Sequence, residues 1–166
     1  LRLRHVFRAD VPDPTEAASD PRVTRYEPWG PYTEEETAGL VENILKQMET
    51  GLCAEWAIER KEDAKVLGLI HLNNVDFFHR SAEIGYCMGR ALWGKGIMTE
   101  ALTAVKEYLF NAGFLRVCAC HDVNNPASGR VMEKAGLKTD GILPKSGFNN
   151  TGVCDIVWHS AIRGEQ

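Results

Sequence analysis

"AEIGYCMGRALWGKGIMTEAL", residues 82–102, contains a strand-like segment, a glycine-rich turn and the start of a helix. Gly89, Gly94 and Lys95 have the G-x-x-x-x-G-K spacing of an ATP-binding P-loop, but Gly96 stands where that motif needs a Ser or Thr hydroxyl for Mg²⁺. Glycines before a helix let the backbone approach a phosphate, and the free N–H groups and the helix dipole attract an anion. The stretch therefore predicts a phosphate cradle that does not serve magnesium-ATP.

Upstream of this stretch, the sequence predicts one strand and two helices. "LRLR", residues 1–4, alternates apolar and basic residues as a strand does. Asp13 is predicted to cap a short helix with Pro14 at its first position. Thr33 and Glu36 have the spacing of a capping box and predict the start of a longer helix.

Three strand-like runs, 53–60, 66–75 and 82–88, precede the turn, and their short connections indicate an antiparallel meander. A third helix, a fifth strand, a short helix and two final strands follow the turn. The predicted fold class is α+β, with a mixed, mostly antiparallel sheet of six to seven strands and about four helices. Only one βαβ unit surrounds the turn, whereas a P-loop protein repeats such units.

The length and the charge set limits on the organisation and the partners of the chain. We expect residues 1–166 to form a single domain, because this length suits one hydrophobic core. The net charge of −4 gives no basic surface for extended nucleic-acid binding. No apolar run approaches the roughly 20 residues that span a bilayer. We therefore expect a cytoplasmic protein, a monomer or a homodimer, without membrane or extended nucleic-acid contacts.

The five cysteines predict reduced thiols and no metal site. Their number is odd, and they are scattered through strand-like segments. The group Cys118, Cys120 and His121 lacks the C-x2-4-C spacing and the second ligand pair of a zinc site. No metal cofactor is predicted.

"AEIGYCMGRALWGKGIMTEAL" followed by "NNPASGRVMEKAGL", residues 124–137, resembles the GNAT N-acetyltransferases, particularly their ribosomal-protein alanine N-acetyltransferase branch. The order of predicted elements agrees with this family from Leu1 to Ile162. The resemblance implies the acyl-CoA N-acyltransferase fold, acetyl-CoA as cofactor and coenzyme A as product. The family's pyrophosphate loop, Q/R-x-x-G-x-G/A, corresponds to Trp93–Met98, with Trp at the first position and Met at the last.

The resemblance also implies which residues hold the cofactor and complete the reaction. Asn125 and Ser128 would contact its pantetheine and sulfur end, and backbone N–H groups around Met88 would stabilise an oxyanion. Many relatives have a Tyr that acts as general acid where this chain has Met132. Ser128 is therefore the predicted proton donor to the leaving thiolate, with solvent as the alternative. The full set of expected cofactor-binding residues is Cys87, Met88, Trp93, Gly94, Lys95, Gly96, Ile97, Met98, Thr99, Asn125 and Ser128.

Two carboxylates are candidates for handling the acceptor amine, which attacks only when neutral. Glu83 is the predicted general base, acting through a water, and its alternative interpretation is an ordinary exposed strand residue. Asp155 lies among apolar neighbours, where a carboxylate needs a partner, so it either binds an amine or belongs to a structural network. His71 and His121 could also act as bases, although a structural role is favoured for both.

The acceptor is the least defined part of the prediction. "EPWGPY", with Trp29 and Tyr32, resembles the acceptor-side loop of the family, and packing over the helices is the alternative. The leading hypothesis is acetylation of a primary amine, with a protein N-terminus such as that of a ribosomal protein suggested by the resemblance. The alternatives are a small-molecule amine (polyamine, amino acid or antibiotic) and a non-catalytic acyl-CoA-binding module.

Overall fold

The computed structural model describes residues 1–50 and 54–165 and contains four helices and seven strands. The helices are α1 (Pro12–Ala18), α2 (Glu34–Glu49), α3 (Ile97–Asn111) and α4 (Pro126–Lys134). The strands are β1 (Arg2–His5), β2 (Glu55–Glu59), β3 (Val66–Asp76), β4 (Ser81–Met88), β5 (Arg116–Asp122), β6 (Lys138–Asn149) and β7 (Gly152–Ile162). The predicted α+β class is confirmed, while the predicted strand start at Cys53 lies outside the described residues.

All seven strands form one sheet in the order β1-β2-β3-β4-β5-β7-β6. Every neighbouring pair is antiparallel except β4 and β5, which run parallel on either side of α3 in the chain. The predicted meander is confirmed, because β2, β3 and β4 pair in sequence order. The glycine-rich turn therefore follows the last strand of the meander, at the one parallel step of the sheet.

The parallel pair is short and then opens. Only Ser81–Glu83 of β4 pairs with Arg116–Cys118 of β5. Beyond this point β4 stays with β3 as far as Met88, and β5 stays with β7 as far as Asp122. The two halves of the sheet consequently separate, and the wedge between them is called the strand gap below.

Helices cover both faces of the sheet. Successive strand residues point to opposite faces, so Ile58 packs into one apolar core with α3 and α4 while its neighbour Ala57 packs into a second core with α2. The larger core contains the bulkiest buried side chains: Ile58, Ile70, Ile84, Leu102, Leu109, Met132 and Leu137. No described helix is long and apolar enough to cross a bilayer.

One of the two predicted helix starts is confirmed. Thr33 caps α2, with its Oγ1 3.2 Å from the Glu36 nitrogen and the Glu36 Oε2 2.8 Å from the Thr33 nitrogen. The start predicted at Asp13 and Pro14 is wrong, because α1 begins at Pro12. The Asp13 carboxylate instead accepts a hydrogen bond from the Val66 nitrogen at 2.8 Å and ties α1 to β3.

Candidate active site

A cavity of about 480 Å³ lies at the strand gap and is called the donor cavity. The end of β4, the glycine-rich turn, the start of α4 and part of the loop at 22–27 form its walls. Among the predicted cofactor-binding residues, those that line it are Cys87, Met88, Trp93, Gly94, Met98, Asn125 and Ser128. The remaining four, Lys95, Gly96, Ile97 and Thr99, follow Gly94 in the turn and in the first turn of α3.

The glycine-rich turn has the backbone of an anion cradle. Gly94 and Gly96 have φ angles of 74° and 78°, which side chains with a Cβ rarely adopt. No described atom lies within 4 Å of a Cβ built at either position, so the space in front of the turn is open. No side chain caps the N-terminus of α3, which leaves its first N–H groups for a ligand. These features fit the pyrophosphate of coenzyme A.

Three arginines that the sequence analysis did not single out also line the donor cavity. Arg22 and Arg25 come from the loop between α1 and α2, and Arg130 comes from α4. Guanidinium groups bind phosphate oxygens with charge-assisted hydrogen bonds, so these side chains add to the attraction of the turn for a phosphate-bearing donor. Since Arg130 is more than 100 residues away from Arg22 and Arg25, only the folded chain brings the three together.

Trp93, which departs from the usual family residue, has a structural partner. Its indole nitrogen donates a hydrogen bond of 2.9 Å to the carbonyl oxygen of Met88, the last residue of β4. The bond joins the end of β4 to the start of the glycine-rich turn, five residues further along the chain. It therefore fixes the end of β4, where the sequence analysis predicts the oxyanion-binding N–H groups.

Ser128 lies in the donor cavity beside a residue that the sequence analysis missed. Its Oγ is 2.9 Å from the Tyr86 hydroxyl, which also donates to the Ser128 carbonyl oxygen at 3.1 Å. Asn125 caps α4, with its Oδ1 3.4 Å from the Ser128 nitrogen. Met132, at the position of the usual family Tyr, is only 1% exposed and belongs to the core. Tyr86 thus supplies a hydroxyl beside Ser128 from the strand instead of from the helix.

A second cavity of about 550 Å³, the acceptor cavity, lies between α1, α2 and the strands β2 and β3. Trp29 and Tyr32 line it and stack on each other, with ring centroids 5.6 Å apart. Cys87 lines both the acceptor and the donor cavity. Two ligands, one in each cavity, would therefore meet at the end of β4.

Two titratable groups face each other across strands in the acceptor cavity. Glu55 of β2 and His71 of β3 are cross-strand partners and both line the cavity. Burial raises the pKa of Glu55 to about 7 and lowers the pKa of His71. A Cβ on Gly85 of β4 would collide with the His71 ring, so glycine leaves the room that this imidazole occupies. Glu55 has no sequence motif and could not be recognised before folding.

The structure brings neither predicted catalytic carboxylate into the two cavities. Glu83 accepts hydrogen bonds from the side-chain amides of Asn73 at 3.1 Å and Asn74 at 2.7 Å, in a separate surface depression. Asp155 accepts a hydrogen bond of 2.8 Å from the Lys145 nitrogen, as expected for the structural alternative. Both carboxylates therefore have local hydrogen-bond partners, and neither of them lines either cavity.

His121 supports the donor cavity from beneath α4. Its Nδ1 donates to the Asp122 carbonyl oxygen at 2.7 Å, and its Nε2 is 3.2 Å from the Nε2 of His159. Burial and the neighbouring His121 lower the pKa of His159, which favours the neutral form of His159 at this contact. The ring packs under Gly129, where α4 approaches the sheet.

Replacing Gly129 with Ala should destabilise the protein by about 1–3 kcal/mol, because the new Cβ overpacks the site. That Cβ would lie 2.6 Å from the His121 Nε2, and the ring is held by two hydrogen bonds. Thermal unfolding measures the effect. Gly39→Ala on α2 is the control, since its Cβ meets no described atom within 4 Å and should stabilise the helix. A Gly129→Ala protein as stable as the wild type would contradict the tight contact.

A phosphate cradle and a second cavity that meet at one strand gap define a group-transfer enzyme with a phosphate-bearing donor. Comparison with known proteins agrees. The family model of the acetyltransferase (GNAT) domain matches residues 1–138. A Bacillus licheniformis protein named uncharacterized N-acetyltransferase p20 is 30% identical over 167 residues, covering 99% of this chain and 94% of the relative.

Two further matches refine the comparison. The ribosomal-protein-serine acetyltransferase of Escherichia coli (strain K12) is 28% identical over 136 residues, covering 81% of this chain and 74% of the relative. The crystal structure of a GNAT-family acetyltransferase from Bacillus anthracis superposes with a TM-score of 0.87 at 26% identity, covering 98% and 95% of the two chains.

The chain therefore belongs to the GNAT acetyltransferase family. It is an N-acetyltransferase, and acetyl-CoA is the acetyl donor of this class of enzyme. The predicted resemblance to the ribosomal-protein acetyltransferase branch is confirmed.

Proposed function

We propose that this N-acetyltransferase acetylates the α-amine at the N-terminus of a protein, with a ribosomal protein as the first class of acceptor to test. The observation that carries the proposal is that the donor and acceptor cavities share Cys87. An amine in one cavity can reach an acyl group in the other. Relatives that act on ribosomal proteins support the choice of acceptor, including the ribosomal-protein-serine and uS5-alanine acetyltransferases of Escherichia coli.

The walls of the acceptor cavity suit a peptide end. Apolar side chains of α2 and β3, such as Leu40, Ile44 and Leu72, accompany the stacked pair of Trp29 and Tyr32. A cavity of about 550 Å³ falls within the range of roughly 300–1,000 Å³ typical of small-ligand sites. It is large enough for the first residues of a peptide and leaves the rest of the acceptor outside.

Carboxylates on the same walls favour a cationic amine. Asp13 and Glu16 of α1 and Glu55 of β2 line the acceptor cavity together with two cations. Lys65 pairs with Glu16 at 3.1 Å, and Arg60 pairs with Asp63. Asp13 and Glu55 are therefore the lining carboxylates that remain for an ammonium group. Opposite charges attract the ammonium form in which an amine arrives. This charge also suits a small polycation, so a small-molecule amine is the second candidate.

Direct transfer between the two ligands follows from the chemistry of Cys87. Burial raises the pKa of this thiol to about 12, so almost no thiolate is present near neutral pH. Since the thiolate is the nucleophilic form of cysteine, Cys87 is a poor acyl acceptor although it lies where the cavities meet. The amine itself is therefore the nucleophile.

Each part of the donor cavity has a role in this reaction. Acetyl-CoA supplies an acyl carbon that is activated as a thioester. The turn at 94–96 and the N-terminus of α3 hold the pyrophosphate, and Asn125 binds the pantetheine arm. Ser128 donates a proton from its Oγ to the departing sulfur and regains one from solvent, while the neighbouring Tyr86 hydroxyl holds its Oγ in place. Backbone N–H groups at the end of β4 bind the oxyanion, as the sequence analysis predicts.

A panel of acceptors tests the proposed function. The protein is incubated with acetyl-CoA and peptides that begin with Ser or Ala, and coenzyme A release and the mass of the peptide are measured. The same peptides with a blocked N-terminus and an internal Lys, together with spermidine, are the controls. We expect kcat/KM to be at least about tenfold higher for the free N-termini, a difference of about 1.4 kcal/mol in transition-state binding. Faster acetylation of spermidine would instead favour the small-molecule alternative.

A further inference from the structure

Glu27 is a loop residue whose carboxyl lies at the strand gap. It lines the donor cavity together with Tyr86, Cys87 and Ser128. Burial is the main cause of the raised pKa values of Tyr86 and Cys87 on β4, and the negative charge of Glu27 raises both further. Its shared lining with Tyr86 and Cys87 places Glu27 beside the end of β4, at one border of the gap.

The Glu27 carboxyl has no fixed partner. Within residues 1–50 and 54–165, no side chain forms an ion pair or a hydrogen bond with it, and burial alone raises its pKa to about 7. On its own loop the charged neighbours are Arg22 and Arg25, the latter with its guanidinium over the Tyr26 ring. Arg130 of α4 also lines the cavity. Glu27 is thus free to exchange a proton near neutral pH.

The backbone at Glu27 is held in place from the other end of the chain. The Asn150 nitrogen donates to the Glu27 carbonyl oxygen at 3.1 Å. The Asn150 side chain donates to the carbonyl oxygens of Thr24 at 2.9 Å, Trp29 at 3.1 Å and Gly30 at 3.2 Å. Four hydrogen bonds from one residue of the turn between β6 and β7 therefore fix the loop that carries Glu27.

We propose that Glu27 is the general base of this acetyltransferase and that its carboxylate accepts the proton that the acceptor ammonium must lose before its nitrogen attacks. The other carboxylates are less well placed. Glu83 is engaged by two amides in a separate depression, and Asp155 is engaged by the Lys145 nitrogen. Glu55 lines the acceptor cavity on the side of β2, whereas Glu27 lines the donor cavity beside Cys87, the residue that both cavities share and where the amine must meet the acyl group. The inference depends on the proposed function, because it assigns a role within the same site.

The proton balance of the transfer is simple. The acceptor ammonium loses one proton to Glu27, which passes it to solvent, and the nitrogen lone pair then forms the N–C bond. The C–S bond breaks with its electron pair on sulfur. Nitrogen loses its second proton to solvent as the amide forms, sulfur gains one from Ser128 Oγ, and solvent returns one proton to Ser128. The sum is one acetylated amine, one coenzyme A thiol and one released proton.

The pH dependence of kcat tests this role in Glu27→Gln. At saturating substrates, wild-type kcat should rise with pH and level off above about 7, since only the carboxylate form accepts the proton. In Glu27→Gln, kcat should fall about 100-fold and should keep rising until the α-amine itself deprotonates near pH 8. Glu27→Asp should retain the plateau near pH 7 at a reduced kcat. Glu62→Gln, an exposed change between β2 and β3, is the matched control.

Two measurements without turnover separate catalysis from structure. Acetyl-CoA should raise the thermal stability of wild type and Glu27→Gln by the same amount. In ligand-free protein with ¹³C-labelled Glu carboxyls, the resonance that Glu27→Gln lacks should titrate near pH 7. A Glu27 resonance that titrates near pH 4.5 would overturn the role of Glu27 as base. So would a Glu27→Gln protein with the kcat and the pH plateau of the wild type, and neither result would affect the proposed function. A wild-type protein inactive toward every amine would contradict the proposed function itself.

Discussion

Replacing Gly96 with Val should weaken acetyl-CoA binding at least about 100-fold, equivalent to about 2.7 kcal/mol. Gly96 has a φ of 78° and directly precedes α3, so a β-branched residue must either accept strain or rotate the turn. Rotation turns the N–H groups away from the pyrophosphate, and each hydrogen bond to a charged group contributes about 1.5–3 kcal/mol. Calorimetric titration with acetyl-CoA measures the loss.

Gly113→Val provides a control for this variant on the same helix. Gly113 follows the C-terminus of α3, has a φ of 98° and has no described atom within 4 Å of a built Cβ. Its substitution should cost comparable strain, of order 1–3 kcal/mol, and leave acetyl-CoA affinity unchanged. Equal loss of affinity in the two variants would show that strain in α3, and not the turn, governs binding.

Replacing Glu55 with Gln should raise the stability of the protein by about 3 kcal/mol at pH 8 and change it little at pH 5. Burial raises the pKa of Glu55 from 4.5 to about 7, so the folded state holds the proton more tightly than the unfolded state. Folding stability therefore decreases as pH rises from about 4.5 to about 7, and the loss persists above that range. Gln keeps the shape of the side chain but has no charge to bury.

Thermal unfolding at the two pH values measures this effect, with Glu62→Gln as an exposed control. The melting temperature of Glu55→Gln should rise by roughly 6–12 °C at pH 8, given about 2–4 °C per kcal/mol for a chain of this size. An equal rise at both pH values would contradict electrostatic destabilisation. Because Glu55 lines the acceptor cavity, the same variant should also show a higher KM for the amine.

Elements with strong local signals were predictable from the sequence. The alternation in residues 1–4, the capping box at Thr33 and Glu36 and the short connections of the meander each depend on neighbours in the chain. The start of α1 was not predictable, because the Asp13 side chain has a partner 53 residues away, at Val66. Local capping rules cannot anticipate such a bond.

The same distinction applies to the site. The left-handed backbone of the glycine-rich turn could be predicted, because a positive φ angle is a local requirement that glycine meets. Glu27 and Glu55 could not, because their altered acidity arises from burial that the tertiary structure creates. Glu27 in particular is held by Asn150, which is more than 100 residues away. Glu83 stood out for its place on a strand that leads to the gap, but neighbouring amides engage it.

The two cavities on either side of Cys87 also determine how the reactants compete. If each reactant occupies its own cavity, as proposed, the donor need not leave before the acceptor binds. Initial-rate plots at several fixed concentrations of one reactant should intersect and not run parallel. Coenzyme A should inhibit competitively against acetyl-CoA alone, and the acetylated product against the amine alone. In a cell, accumulated coenzyme A would then slow this enzyme even when acceptor is abundant.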